Sequence, residues 1–204
     1  VMITQMRIAV GVMGLGIASA STDLALKYGE ERVQGGGLAI AEHPDVQRQL
    51  LEMVSRVEVL RGLVFAVANL AEVSGDDAQA QLLLQWLLPI VKTVGADTAF
   101  DVASGAVQVL GGAGYTREWP AEQAVRDARV LAVFEGTTGI QALDLVHRRL
   151  RRGDGLAAFL DAARVEGDDT GLHACLDLLE DAGAKLRATT DARDIDAGAT
   201  AFLY

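Results

Sequence analysis

Apolar positions recur at steps of three and four through most of this chain, and no convincing run alternates with a period of two. The clearest case follows Pro44, where Val46, Leu50, Val54, Val57, Leu60, Val64 and Val67 define one face of an amphipathic helix. That helix stops near Ser74-Gly75-Asp76, where a fresh N-terminal signal begins. Residues 3–29 predict an earlier helix whose surface is thinned by Gly11, Gly14, Gly16, Ala18 and Ala20. Each helical glycine costs roughly 1 kcal/mol relative to alanine, so close packing against another backbone must offset them. Gly14-Leu15-Gly16-Ile17-Ala18-Ser19 looks like a dinucleotide fingerprint, but no strand precedes it and Gln34-Gly35 stands where an acid is needed. That reading is rejected.

A Gly-rich break, "EERVQGGGLAIAEH", occupies 30–43. A third helix is expected over 77–110, with Pro89 kinking it or opening a new first turn, and Gly111-Gly112-Ala113-Gly114 ending it. A short helix follows Pro120, with Arg126 and Arg129 near its end as the helix dipole favours. The apolar run 130–134 then leads into "VFEGTTGIQ", where Thr138 to Gln141 reads as a capping box. The helix it opens is expected to run to about 152, with Ile140, Leu143, Val146 and Leu150 on one side. Beyond 153–155 the composition shifts toward Ala, Asp and Gly, with helices expected over 156–165 and 171–190. The pattern predicts an all-α, up-and-down four-helix bundle over 1–152 and a partial helical extension over 153–204. The chain starts inside an apolar pattern and ends on Ala201-Phe202-Leu203-Tyr204 with nothing after it to bury the run. Both ends therefore read as cut from a longer protein.

Composition narrows the function. Half of the 204 residues are hydrophobic, and a formal charge of −10 argues against nucleic acid or an anionic membrane surface as partner. The uncharged runs 8–22 and 78–91 fall short of about 18–20 apolar residues, and no basic region precedes an N-terminal apolar stretch, so neither a membrane span nor a signal peptide is expected. The single cysteine, Cys175, fits a reducing cytoplasm, and Leu172, Leu176 and Leu179 around it suggest a packed face. Histidines at 43, 147 and 173 have no metal-ligand spacing. The basic run 147–152 reads as dipole compensation and surface charge.

Three stretches carry candidate chemistry. Glu135 stands alone between an apolar run and a Gly-Thr-Thr turn; Val133 and Phe134 are expected to desolvate it, which would make it a better base. The bland alternative is an exposed acid near a helix N-terminus. In "QVLGGAGYT", three glycines within four residues exceed what a helix C-cap needs and point to a close approach by a ligand or a subunit. Arg32, before its Gly-rich turn, offers a planar fork of donors for phosphate, although most such arginines are solvated helix ends.

Together these stretches resemble the acyl-CoA dehydrogenase family. "QVLGGAGYTREWPAEQAVRDARVLAVFEGTTGIQALDL" (108–145) is similar to its C-terminal signature, and "RIAVGVMGLGIASASTDLALKYGEERVQG" (7–35) to the first helix of its C-terminal domain and the turn after it. The tail 151–204 resembles the extra segment of the long members, the group that includes methylmercaptopropionyl-CoA dehydrogenases. The resemblance implies an FAD enzyme in which Glu135 takes the α-proton of an acyl-CoA thioester, with Phe134 and Gly136 beside the substrate and Arg7 toward the CoA portion. Some relatives carry the base just before that arginine, a position held here by Met6. By the same matching Arg32 would meet the FAD pyrophosphate, Gln108, Gly111 and Gly112 its adenosine half, and Thr137 the cofactor near the base, with Gln34 also among the cofactor-binding residues. Gly35, Pro44 and Gly139 depart from the residues common at their positions. The resemblance also implies cofactor contacts that cross a subunit boundary, hence a homodimer or homotetramer, and an electron-transfer flavoprotein as acceptor. The N-terminal and β domains that complete the pockets are not in this sequence, so the segment alone is expected to bind FAD poorly and to be inactive. A non-catalytic assembly module and an acyl-CoA oxidase are the alternatives.

Overall fold

The computed structural model describes residues 2–165 and 169–204; the expectation that falls on Val1 lies outside them. Among these residues the regular structure is helical, with α1 (Met2–Glu31), α2 (Pro44–Val73), α3 (Ala78–Leu110), α4 (Ala121–Leu131), α5 (Thr138–Asp144), α6 (Gly155–Val165), α7 (Thr170–Ala188) and α8 (Ala192–Leu203). The chain is all-α, as its periodicity predicts. It divides into two compact units, residues 1–66 with 91–135 and residues 67–90 with 136–204.

In the first unit the inner face of α2 carries Leu50, Met53, Val57, Leu60 and Val64, buried at alternating steps of three and four; Met53 is buried in place of the expected Val54, which is half-buried. The thinned face of α1 meets α3. A Cβ on Gly14 would collide with the Gly95 carbonyl oxygen and sit 2.7 Å from its carbon, and a Cβ on Gly95 would lie 2.8 Å from Gly11 Cα. Glycine is required at this crossing because backbone touches backbone. Below it, Val10, Ala96, Ala99, Ala103, Ala128, Leu131 and Ala132 form one apolar cluster. α1 also holds a window long and apolar enough to cross a membrane by length and composition. This corrects the expectation that no stretch qualifies: glycine and alanine lower side-chain volume without adding polarity, and their face is used for packing.

α3 continues through Pro89 without a break, and the boundary between the two units follows directly, after Ile90. Its start is capped by Asp77, whose carboxylate accepts from the N–H groups of Gln79 at 2.9 Å and Ala80 at 3.1 Å.

The second unit is built around Trp86. Its indole stacks on Phe159 at 6.5 Å between centroids and takes Phe202 edge-on at 6.2 Å. Leu145, Leu150, Leu156, Leu160, Leu176, Ile195 and Leu203 fill the same core. α8 was not expected; Asp191 caps it and Ile195, Ala199 and Leu203 anchor it, so the final apolar run is partly buried rather than left uncovered. Three further expectations are corrected. The capping box is displaced: Thr137, not Thr138, holds the N-cap position, and no side-chain cap bond forms there. The helix it opens becomes π-helical over Leu145–Leu150, with the Arg151 N–H bonding to the Val146 carbonyl five residues back at 3.0 Å. Ile140, expected on the inner side of this helix, is 56% exposed. Cys175 is exposed, because the inward stripe of α7 runs through Leu176, Leu179 and Leu186.

The basic run finds partners both on its own helix and on α7. Asp144, only 8% exposed, pairs with Arg148 at 3.4 Å and Arg149 at 3.5 Å. Arg151 Nη1 donates to the carbonyls of Leu186 and Thr189 at 2.8 Å each, closing the C-terminus of α7. Arg187 reciprocates through Nε to the Leu150 carbonyl at 2.9 Å and Nη2 to that of Gly153 at 3.3 Å. Replacing either arginine by methionine keeps most of the stem but orphans two carbonyls. Each change is expected to lower stability by about 1 kcal/mol, read as a lower urea midpoint with unchanged slope; an unmoved midpoint would refute this reciprocal capping.

Candidate functional site

The Gly-rich break folds into a tight reversal. The Gln34 N–H donates to the Leu38 carbonyl at 3.0 Å and the Ile40 N–H to that of Arg32 at 2.8 Å. Between them Gly35, Gly36 and Gly37 all have φ between 74° and 82°, a run no L side chain would tolerate. Arg32 sits at the base of this reversal, its Nη2 3.4 Å from Gln34 Oε1. His43 packs beneath it: its Nε2–H donates to the Gln34 carbonyl at 2.8 Å, which fixes the tautomer.

Arg32 and Gln34 share a cavity of about 700 Å³ with Gly111, Gly112, Tyr28 and His43. The three glycines of "GGAG" have separate jobs. Gly111 takes the left-handed turn at φ 62°, while Gly114 lies against the backbone of Val107, where a Cβ would sit 3.0 Å from Val107 Cα. At Gly112, as at Gly111, nothing lies within 4 Å of where a Cβ would be, so this floor is open backbone. Four of the candidate cofactor residues thus meet in one place. Gln108 instead lines a separate groove of about 680 Å³ with Arg48, Arg56, Phe100 and Asp101.

Glu135 belongs to another region of the same unit. At φ 56° it is the one non-glycine residue with a left-handed backbone among the described residues, a conformation that costs an L residue about 1–2 kcal/mol. Its side chain is exposed. This corrects the expected desolvation: Phe134 turns inward against the cluster around Val10 and Ala96, while Val133 is 56% exposed, so these two neighbours build no wall over the carboxylate. What they fix is the backbone that presents it.

Arg7, on α1, is buried, and so is Lys92 on α3, which has no accessible surface. Burial pushes the Lys92 ammonium below the usual lysine range; Asp97 pulls it back, Arg7 adds repulsion, and Glu135 again favours the charge. The sequence reading missed Lys92, although one cue was available: it is the lone charge between Asp77 and Asp97. It also missed Tyr28 and His43. The remaining candidates fall in the second unit. Gly136 has φ 90°, and a Cβ there would lie 2.8 Å from Gln141 Nε2. The Thr137 carbonyl accepts from the Gln141 N–H at 3.0 Å.

Comparison with known proteins shows the family of the chain. The family model described as "Acyl-CoA dehydrogenase, C-terminal domain" matches residues 1–150. A 3-methylmercaptopropionyl-CoA dehydrogenase from Ruegeria pomeroyi is 39% identical over 171 residues, 78% of this chain and 29% of that protein. The broad-specificity linear acyl-CoA dehydrogenase FadE5 of Mycobacterium tuberculosis is 37% identical over 173 residues, 76% of this chain and 28% of that protein. The matched segment thus spans less than a third of either relative. The structure of Caenorhabditis elegans ACDH-11, in complex with C11-CoA, shares the fold over 100% of this chain and 37% of its own at TM-score 0.80 and 22% identity. With a family match over residues 1–150 and relatives of this identity, the chain belongs to the acyl-CoA dehydrogenase family.

Proposed function

We propose that this chain forms the C-terminal portion of an FAD-dependent acyl-CoA dehydrogenase in which Glu135 is the base that removes the α-proton of an acyl-CoA thioester. The observation that carries the reading is the left-handed backbone of Glu135. Glycine would occupy that position without strain, so the cost is offset only by something the carboxylate does there. A base must sit within hydrogen-bond reach of the proton it takes, and a residue fixed by its own backbone turn satisfies that requirement better than one on a mobile side chain.

The cofactor residues fit their assignment. A guanidinium at Arg32, an open glycine floor at Gly111 and Gly112 and a cavity of about 700 Å³ suit an anionic dinucleotide approached along the backbone. When bound, FAD supplies the hydride acceptor. Arg32 would balance pyrophosphate charge, His43 holds the reversal that presents Arg32, and Gln108 would serve the adenosine half. Thr137 would serve the cofactor, Phe134 and Gly136 the substrate, and the Glu135 N–H would polarise the thioester carbonyl. Arg7 serves the CoA portion. Glu135 and Arg7 do not line the Arg32 cavity; in this reading the two sets serve different active sites of a homodimer or homotetramer, and an electron-transfer flavoprotein takes the electrons onward.

The test is anaerobic mixing of the full-length protein with a linear acyl-CoA. The oxidised flavin band should bleach within seconds and return when an electron acceptor is added. A yellow protein that no acyl-CoA bleaches would reduce this chain to an assembly module.

A further inference from the structure

We propose that Trp119 and Tyr28 are positioning residues for Arg32, an aromatic staple that sets the distance between its guanidinium and the open glycine floor at Gly111 and Gly112. The proposal rests on FAD being the ligand of the Arg32 cavity.

The staple joins two segments that are remote in sequence. Tyr28 lies one turn before Arg32 at the end of α1, and its carbonyl accepts the Arg32 N–H at 2.9 Å, so the two side chains are neighbours on one helix face. Trp119 stands directly before Pro120, the N-cap of α4. Its N–H donates to the Thr116 carbonyl at 3.4 Å. Thr116 in turn donates to the Ala113 carbonyl through its N–H at 3.1 Å and its hydroxyl at 2.9 Å. Trp119 is thereby tied to the glycine floor as Tyr28 is tied to Arg32. The two rings meet edge to face, with centroids 5.1 Å apart and planes at 87°, an arrangement that the ring quadrupoles favour.

The place of this contact argues for a task beyond filling space. Both rings are half-buried, and with Glu31, Arg32 and Ala113 they line a second cavity of about 330 Å³. Tyr28, Arg32 and Ala113 border the cavity of about 700 Å³ as well, so the aromatic contact sits at the joint between the two. Arg32 needs such a joint. Its side chain is exposed and its bond to Gln34 Oε1 is long, at 3.4 Å, so the end of α1 largely decides where the guanidinium lies. A dinucleotide held by its pyrophosphate at Arg32 and by its adenosine half over the glycine floor spans both segments. Its affinity then depends on their separation, and opening the staple weakens binding even with Arg32 and both glycines in place.

The experiment titrates FAD into full-length apoprotein and reads binding from flavin fluorescence. It compares wild type, Trp119→Leu, Trp119→Phe, Arg32→Met and the double variant of Trp119→Leu with Arg32→Met. Trp119→Leu is expected to raise the FAD dissociation constant about tenfold, and Trp119→Phe, which keeps an aromatic ring, to stay within about threefold of wild type. In the Arg32→Met background Trp119→Leu should add less than about twofold, because the guanidinium it positions is gone. An equal loss in both backgrounds, or no loss at all, would show that Trp119 only fills space. Should Trp119→Leu fold poorly, Tyr28→Leu opens the staple from the other ring, and its loss must likewise vanish with Arg32→Met; a loss that persists overturns the proposal. A wild-type protein that takes up no FAD overturns the cofactor reading and this proposal together, whereas uptake with equal losses overturns this proposal alone.

Discussion

Glu135→Gln in the full-length enzyme is expected to lower turnover by about a thousandfold while leaving FAD content and melting temperature in place. The carboxamide has nearly the same shape and the same backbone preferences, so the left-handed turn at φ 56° stays as strained as before. What changes is the capacity to accept a proton, since an amide oxygen is too weak a base for a thioester α-carbon. The result has three separable forms. Turnover lost with flavin retained supports the base. Turnover unchanged excludes it. Turnover and flavin lost together would mean that Glu135 serves the cofactor or the fold, and the measurement of bound flavin tells this apart from the first case.

The second large effect lies in the helix crossing. Gly14→Val would force a side chain into the Gly95 peptide, whose carbon would lie 2.7 Å from the new Cβ. Both sides of the clash are backbone, so no rotamer change relieves it and the helices must separate. Destabilisation above about 3 kcal/mol is expected, which lowers the melting temperature on the order of 10 °C. Gly16→Ala is the internal control, because nothing lies within 4 Å of its Cβ position. There the helix gains roughly 1 kcal/mol from the better helix former. Opposite signs at two glycines two residues apart on one helix cannot arise from helix propensity. Equal destabilisation at both would undo the crossing argument.

The features legible in the sequence are those written as periodicity or as residue size. The inner face of α2 was readable because each of its buried positions is apolar in a 3.6-residue rhythm, and the close approach of α1 because its glycines make no sense otherwise. Arg32 and Gly111 were readable as separate candidates, each at a turn that demands glycine. Their meeting in one cavity is a tertiary fact with no local mark. The π-helical turn at Leu145–Leu150 was hidden because a shifted hydrogen-bond register leaves composition unchanged. Cys175 was misplaced because neighbouring leucines say which helix is apolar, not which side of it a given residue occupies. Desolvation of Glu135 was inferred from adjacent apolar residues, yet adjacent positions on a turn point in different directions, and Val133 and Phe134 do so here. Lys92 shows the converse: it is the lone charge between Asp77 and Asp97, and its complete burial has no local mark in the sequence.

The unusual φ at position 135 carries a lesson for anyone improving this protein by thermal selection. Glycine, and to a lesser degree asparagine, would relax there, so a screen that rewards only survival on heating would drift toward erasing the side chain proposed as the base. Robustness and chemistry pull this one position in opposite directions, and libraries that aim for a hardier catalyst should hold its codon fixed.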